Sequence, residues 1–222
     1  LNDRKALEDC LSELSDDIAC VIIEPVPANN GLLLQDKSYL EFLRDVCTKY
    51  GVLLIFDEVI SGFRVGFEGA AGYYDIQPDI ITYGKIIGGG MPVGAYGANK
   101  EIMGHIAPDG DVYQAGTLSA NPVAMSAGIA TIRQLIAPNF YENLAAKTEK
   151  FTNNILAYCK EKGYEMSIVR IGSIFWIAFT NDRITKADQI DPASMEKFKT
   201  LHHELLESGV YLGPSGYEVG FV

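Results

Sequence analysis

Asp57 ends the apolar run Val52-Leu53-Leu54-Ile55-Phe56, and Lys85 follows twenty-eight residues later in Thr82-Tyr83-Gly84-Lys85-Ile86-Ile87-Gly88-Gly89-Gly90. An acid at the C-terminal end of a buried parallel strand sits at the rim of the sheet, where open α/β folds put their ligands. A lysine one strand later reaches the same rim. A carboxylate and a primary amine so placed suit pyridoxal phosphate: the carboxylate keeps the pyridine nitrogen protonated, and the amine forms an imine with the aldehyde. Taken singly, Asp57 also fits a strand-end cap and Lys85 a solvated loop lysine. The segment is not a nucleotide phosphate loop, because the position five residues before Gly84 is Asp79 and Ile86 stands where Ser or Thr would hold magnesium. Gly88, Gly89 and Gly90 let the backbone turn sharply and approach another chain or a cofactor.

The elements that must position these two residues alternate. Asp3 to Leu14 carries Leu7, Leu11 and Leu14 at helical spacing, and Ile18 to Glu24 reads as a short buried strand. Asp36 to Tyr50 repeats the helical period, with Gly51 placed to stop it before a strand over Val52 to Phe56. Asp79 to Tyr83 and Val93 to Gly97 read as further strands. This rhythm predicts an α/β fold with a mainly parallel sheet covered by helices. Asn121 to Leu135 and Asn139 to Lys162 read as long helices broken at Pro138. Ser167 to Arg170 and Ser173 to Thr180 then read as paired strands, followed by a helix near Met195 to Glu207 and a last strand near Val210. The expected division is residues 1–138 as a large domain and 139–222 as a small α+β domain.

Composition excludes several classes. The 222 residues are 48% hydrophobic, enough for an ordinary core, and no apolar run approaches the ~18 residues of a membrane span. There is no signal-like start, so a soluble, cytoplasmic protein is expected. Eighteen basic residues are scattered among 29 acids for a formal charge of −11, which argues against a nucleic-acid partner. Cys10, Cys20, Cys47 and Cys159 form no CxxC and have no histidine at ligand spacing, so they are expected as reduced, mostly packed thiols with no metal. His202-His203 on an amphipathic helix is assigned no role.

The residues around Asp57 and Lys85 resemble those of fold-type I pyridoxal phosphate enzymes, and within them the glutamate-1-semialdehyde 2,1-aminomutase branch of the class III aminotransferases. The resemblance lies in Glu24-Pro25-Val26 with Asn29 and Gly31, in Phe56-Asp57-Glu58-Val59-Ile60-Ser61-Gly62-Phe63-Arg64, and in Gly84 through Gly97. It continues in Tyr113-Gln114-Ala115-Gly116-Thr117-Leu118-Ser119-Ala120-Asn121-Pro122 and in Pro214 through Phe221, in the family's order and essentially end to end. The Gly62-Phe63-Arg64 ending and the Tyr113 to Ser119 stretch point to the aminomutase branch. Ala120 departs from the glycine common in this family.

The resemblance implies roles. Asp57 would hold the pyridine nitrogen, Lys85 would carry the cofactor and move protons, and Val59, pointing the same way as Asp57 if the strand continues, would pack against the ring. Asn29 would bond the ring hydroxyl, although Asn29-Asn30-Gly31 reads locally as a simple turn. Thr117 would bind the cofactor phosphate across a homodimer interface, with a plain loop threonine as the alternative. Glu218 would sit near the substrate pocket. The implied reaction converts glutamate 1-semialdehyde to 5-aminolevulinate in tetrapyrrole biosynthesis, starting from the pyridoxamine form of the cofactor. An intermolecular aminotransferase for amino acids or ω-amines, or a non-catalytic relative, are the alternatives. The start at Leu1 and the end at Phe221-Val222 give the expectation of roughly the second half of a longer enzyme, whose phosphate loop, ring-stacking aromatic and substrate arginine lie upstream.

Overall fold

Helix α1 (Arg4–Leu14) begins where the Asp3 carboxylate accepts the Ala6 N–H at 3.0 Å, which satisfies one of the amides a helix start leaves open. Of its leucine stripe, Leu11 is buried and Leu14 is exposed. After strand β1 (Cys20–Ile23), helix α2 (Lys37–Tyr50) stops at Gly51, whose φ of 68° lets its N–H reach back to the Cys47 and Thr48 carbonyls. Leu11, Val46 and Val52 form a core cluster with Leu7, Ile18 and Phe42 packed against it. This computed structural model describes residues 2–222, in two compact units: Asn2–Pro25 with Asp36–Pro138, and Val26–Gln35 with Asn139–Val222. Residues 26–35 thus cluster with the C-terminal unit, unlike the straight cut near 138 that the sequence suggests.

The first unit holds a sheet in the order β1-β2-β3-β4, completed by β2 (Leu53–Asp57), β3 (Ile80–Tyr83) and β4 (Ala95–Ala98). The first three strands run parallel and β4 is antiparallel to β3. Along β2 the pleat puts Leu54 and Phe56, both fully buried, on one face, and Leu53, Ile55 and Asp57 on the other. Asp79 locks the strand starts: its Oδ2 accepts the Leu54 N–H at 2.6 Å and the Arg44 guanidinium at 2.8 Å, tying α2 to β2 and β3. Helix α3 (Gly69–Tyr74) and the short α4 (Lys100–Met103) flank the sheet segments in sequence. Helix α5 (Pro122–Leu135) begins at Asn121, whose Oδ1 accepts the Val123 and Ala124 N–H groups, with Pro122 at its first position.

In the C-terminal unit, helix α6 (Phe140–Lys162) precedes the antiparallel pair β5 (Ser167–Ile171) and β6 (Ile174–Ala178), then helix α7 (Ser194–Glu207). The strand expected near Val210 is absent. Val210 and Tyr211 are exposed, and the Val210 N–H bonds the Leu205 carbonyl to finish α7. The third strand is instead β7 (Gly220–Phe221), paired with β6. The cysteines also differ from expectation: all four are free thiols, but only Cys47 and Cys159 are buried, while Cys10 and Cys20 are exposed.

Glu58 fixes the chain just past β2. Its fully buried carboxylate accepts the Ser61 hydroxyl at 2.9 Å and the Ala70 and Ala71 N–H groups, at 2.6 and 2.8 Å, where α3 begins. A Cβ on Gly69, whose φ is 67°, would collide with that carboxylate, so the position needs glycine on two counts. Burial raises the Glu58 carboxyl above its ordinary 4.5, outweighing the three donors that pull it down. A carboxyl raised on folding stabilises fully below its unfolded pKa, and that contribution is lost as pH rises through the folded value. Glu58→Gln, which cannot titrate, is expected to lower stability by about 2 kcal/mol. The deficit should shrink as pH rises from 4.5. Paired thermal melts across that range measure it.

Candidate active site

Asp57 is the last residue of β2, and its ladder partner on β3 is Thr82. Its Oδ1 accepts the Val59 N–H at 3.0 Å and the Thr82 hydroxyl at 3.2 Å, so the carboxylate is held from its own chain and from the next strand. Three residues beyond Thr82, Lys85 opens a 3₁₀ turn over Lys85–Gly88. Its side chain is exposed, and its backbone has a φ of 47°. For a residue with a Cβ that left-handed conformation costs about 1 kcal/mol, and such strain persists where the surroundings impose it.

The expected continuation of strand geometry to Val59 does not occur. Capture of the Val59 N–H by Asp57 turns the chain, so strand alternation no longer decides where Val59 points. Contact does: a Cβ on Gly84 would stand 3.3 Å from Val59 Cγ1, which puts Val59 against the residue before Lys85. Of the three glycines, Gly89 closely approaches a helix of the same chain, while Gly90 has nothing within 4 Å of an added Cβ. A Cβ on Gly89, with φ 57°, would lie 2.6 Å from Thr131 Oγ1, and one on Gly128 of α5 would collide with the Ile87 carbonyl oxygen. The turn bearing Lys85 is therefore seated on the small-residue face of α5.

Gly62-Phe63-Arg64 forms a packed corner beside this site. The Phe63 ring meets Phe67 at 5.5 Å and Tyr83 at 5.4 Å, and Arg64 donates to the Ile60 carbonyl at 2.9 Å. Burial lowers the Arg64 guanidinium pKa and raises that of the Tyr83 phenol, with the Glu58 charge adding to the latter. Thr117 begins an exposed turn closed by the Ser119 N–H on the Gly116 carbonyl at 2.9 Å. Ala120 ends that turn at φ 55°, the left-handed position where the resembling family has glycine. Tyr113, 83% exposed, and Leu118, 63% exposed, accompany Thr117.

Asn29 and Glu218 belong to the C-terminal unit. Asn29 is exposed in the bend before Gly31, whose N–H donates to the Tyr217 carbonyl at 2.8 Å. Glu218 is exposed, and its carboxylate folds over Gly213, where a Cβ would collide with it. Among the described residues, no group of three His, Cys, Asp or Glu is arranged to hold a metal ion. Sequence reasoning passed over Thr82, Glu58 and Gly128. The signal for Thr82 was its place opposite Asp57 once β2 and β3 are paired, and that for Gly128 was its place among alanines in a helix.

Parallel strands bring a clamped carboxylate and a strained lysine to one end of an α/β sheet, and comparison with known proteins gives the family of the chain. Residues 2–221 match the family model described as aminotransferase class-III, and the chain belongs to that family. It is 51% identical over 224 aligned residues to a curated glutamate-1-semialdehyde 2,1-aminomutase of Leptospira biflexa, covering 100% of this chain and 53% of that protein. The chain thus spans about half the length of the curated relatives it matches. Among solved structures, an omega-transaminase from Sphaerobacter thermophilus superposes with a TM-score of 0.93 at 30% identity, over 100% of this chain and 51% of that one. A glutamate-1-semialdehyde-aminomutase from Pseudomonas aeruginosa PAO1 superposes with a TM-score of 0.86 at 24% identity, over the same shares, which shows a common fold.

The seat of the lysine turn makes a stability prediction. Gly128→Ala is expected to cost about 2 kcal/mol, because backbone must move to admit the methyl. Gly97→Ala, with nothing within 4 Å of the added atom, is expected to change stability by less than about 0.5 kcal/mol. Thermal or urea melts of both variants give the comparison.

Proposed function

We propose that the protein carrying this chain is a pyridoxal phosphate-dependent aminomutase that converts glutamate 1-semialdehyde to 5-aminolevulinate, a step of tetrapyrrole biosynthesis. The observation that carries the reading is the 51% identity, across the whole chain, to a curated aminomutase. The site supports it. Asp57 is clamped at a strand end, Lys85 is exposed just past the neighbouring strand, and Val59 lies against Gly84 beside it. These residues fit the cofactor: an acceptor for a ring N–H, an amine for its aldehyde and an apolar side chain for a ring face.

Bound pyridoxal phosphate, entering in its pyridoxamine form, supplies an electron sink and a carrier for the amino group. The chain's own residues do the rest. Asp57, with Oδ1 occupied by two donors, holds a proton at the ring nitrogen. Lys85 Nζ takes protons from the substrate carbons and returns them, a transfer that needs the amine within hydrogen-bond reach. Asn29 bonds the ring hydroxyl, and the Glu218 carboxylate, near the substrate pocket, holds an amino group or tunes nearby protonation. Thr117 offers hydroxyl and amide to the cofactor phosphate of a partner copy, a reading supported by the exposure of Thr117, Tyr113 and Leu118. On this reading the protein is a homodimer. Residues 2–25 and 36–138 contribute to the large cofactor-binding domain, and 139–222, with 26–35, to a small C-terminal one. No helix among the described residues is long and apolar enough to cross a membrane, and a biosynthetic enzyme of this kind belongs in the cytoplasm.

An intermolecular aminotransferase is the second reading, favoured by the 30% identity and 0.93 TM-score to an omega-transaminase. The two separate by co-substrate. The native protein carrying this sequence, loaded in the pyridoxamine form, is expected to make 5-aminolevulinate from glutamate 1-semialdehyde through many turnovers without a keto acid. Product that requires added pyruvate would transfer the assignment to the aminotransferase. Borohydride reduction in the presence of pyridoxal phosphate, with peptide mapping, should leave the label on Lys85, and Lys85→Ala should remove both label and turnover.

A further inference from the structure

Two turns of the C-terminal unit carry candidate groups, Asn29 ahead of Gly31 and Glu218 after Tyr217, and both close on one side chain. Trp176 in β6 is the single tryptophan of the chain and is 2% exposed. Its Nε1–H donates to the Gly216 carbonyl at 2.8 Å. Its six-membered ring lies against Gly31, where a Cβ would stand 3.0 Å from Cζ2. The third side is the Gly31 N–H bonded to the Tyr217 carbonyl at 2.8 Å. Neither turn has room to shift alone. Gly31 is buried with φ 78°, and a Cβ on Gly216 would meet Met195 Sδ at 2.8 Å and Phe198 Cβ at 2.9 Å.

We infer that Trp176 is a positioning residue that joins the Asn29 turn to the Glu218 turn, so that the two are set, and move, as one body. The inference rests on the proposed reading for the roles of Asn29 and Glu218, but the coupling itself is a property of the three contacts. The indole serves two ends at once: its ring walls one turn and its N–H satisfies a buried carbonyl of the other. A carbonyl left without its donor in that setting is costly, and local opening of the segment relieves it. A displacement of Glu218 on substrate binding is thereby passed to Asn29 within the same unit.

Hydrogen exchange read by mass spectrometry tests this on the native protein. In Trp176→Phe, which keeps a ring but loses the N–H, the Gly31 amide and the amides of residues 216–218 should exchange about tenfold faster, and together. Ile174→Val, one methylene lost from a fully buried position of the same strand, should leave both turns at their original rates. In the unmutated protein the Trp176 indole N–H and the Gly31 amide should share one opening free energy, a measurement that needs no variant to fold. For turnover, Trp176→Phe and Asn29→Ala should each lower kcat/KM, and the double variant should lose less than the product of the two. Acceleration at only one turn, unequal opening free energies, or independent kinetic losses would overturn the inference and leave the aminomutase assay untouched. Coupled exchange in a protein that makes no 5-aminolevulinate would support the coupling and remove the reading of Asn29 and Glu218.

Discussion

The parallel pairing of β2 with β3, with Asp57 opposite Thr82, is the constraint on which the candidate chemistry depends. It gives the Asp57 carboxylate a hydroxyl partner on the next strand and, in the same stroke, sets how far along that strand Lys85 emerges. A slip of one residue would turn Asp57 to the face of Leu54 and Phe56 and strand the lysine away from the rim. Asp79 guards against that slip at the opposite end of the strands, where one carboxylate oxygen holds both the β2 backbone and Arg44 of α2. Register at one end thus fixes chemistry at the other.

Asp57 and Glu58 are adjacent acids with opposite tasks, the first ending β2 and the second lying just past it. Asp57 lies on the half-buried face, while Glu58 turns inward and gathers the start of α3 and Ser61. The lysine has a comparable support of a different kind. Its turn is held by close approach of backbone to backbone, Ile87 and Gly89 against α5, which only small side chains on the helix permit. A buried carboxylate on one side and absent side chains on the other give the site its rigidity.

Much of this was legible in the residues alone. Helical spacing and capping residues located α1, α2, α5, α6 and α7 to within a residue or so, because Asp3, Asn121 and Gly51 act on their own chain. The places of Asp57 at the end of β2 and of Lys85 just past β3 were legible because the apolar runs before them mark strand ends. The rest depended on contacts distant in sequence. The apolar Val210-Tyr211-Leu212 looks like a strand, yet β6 takes Gly220–Phe221 as its partner, a choice made by ladder geometry and not by local propensity. The strand does not continue to Val59, because a side chain two residues earlier takes its N–H. The attachment of residues 26–35 to the C-terminal unit, and with it the role of Trp176, has no local signature, since Gly31 and Tyr217 are far apart along the chain.

The sheet of the first unit is bounded by β1 and β4, and both present apolar side chains to solvent, Ile22 at 61% exposure and Tyr96 at 41%. Outer strands with unpaired backbone groups are templates for another strand, and natural proteins usually blunt them with charge or cover. The opposing force here is the formal charge of −11, whose repulsion between copies dissolved ions screen over about 10 Å at 0.1 M. Added salt therefore weakens the repulsion and leaves the apolar outer strands unchanged, so the balance between the two shifts with ionic strength.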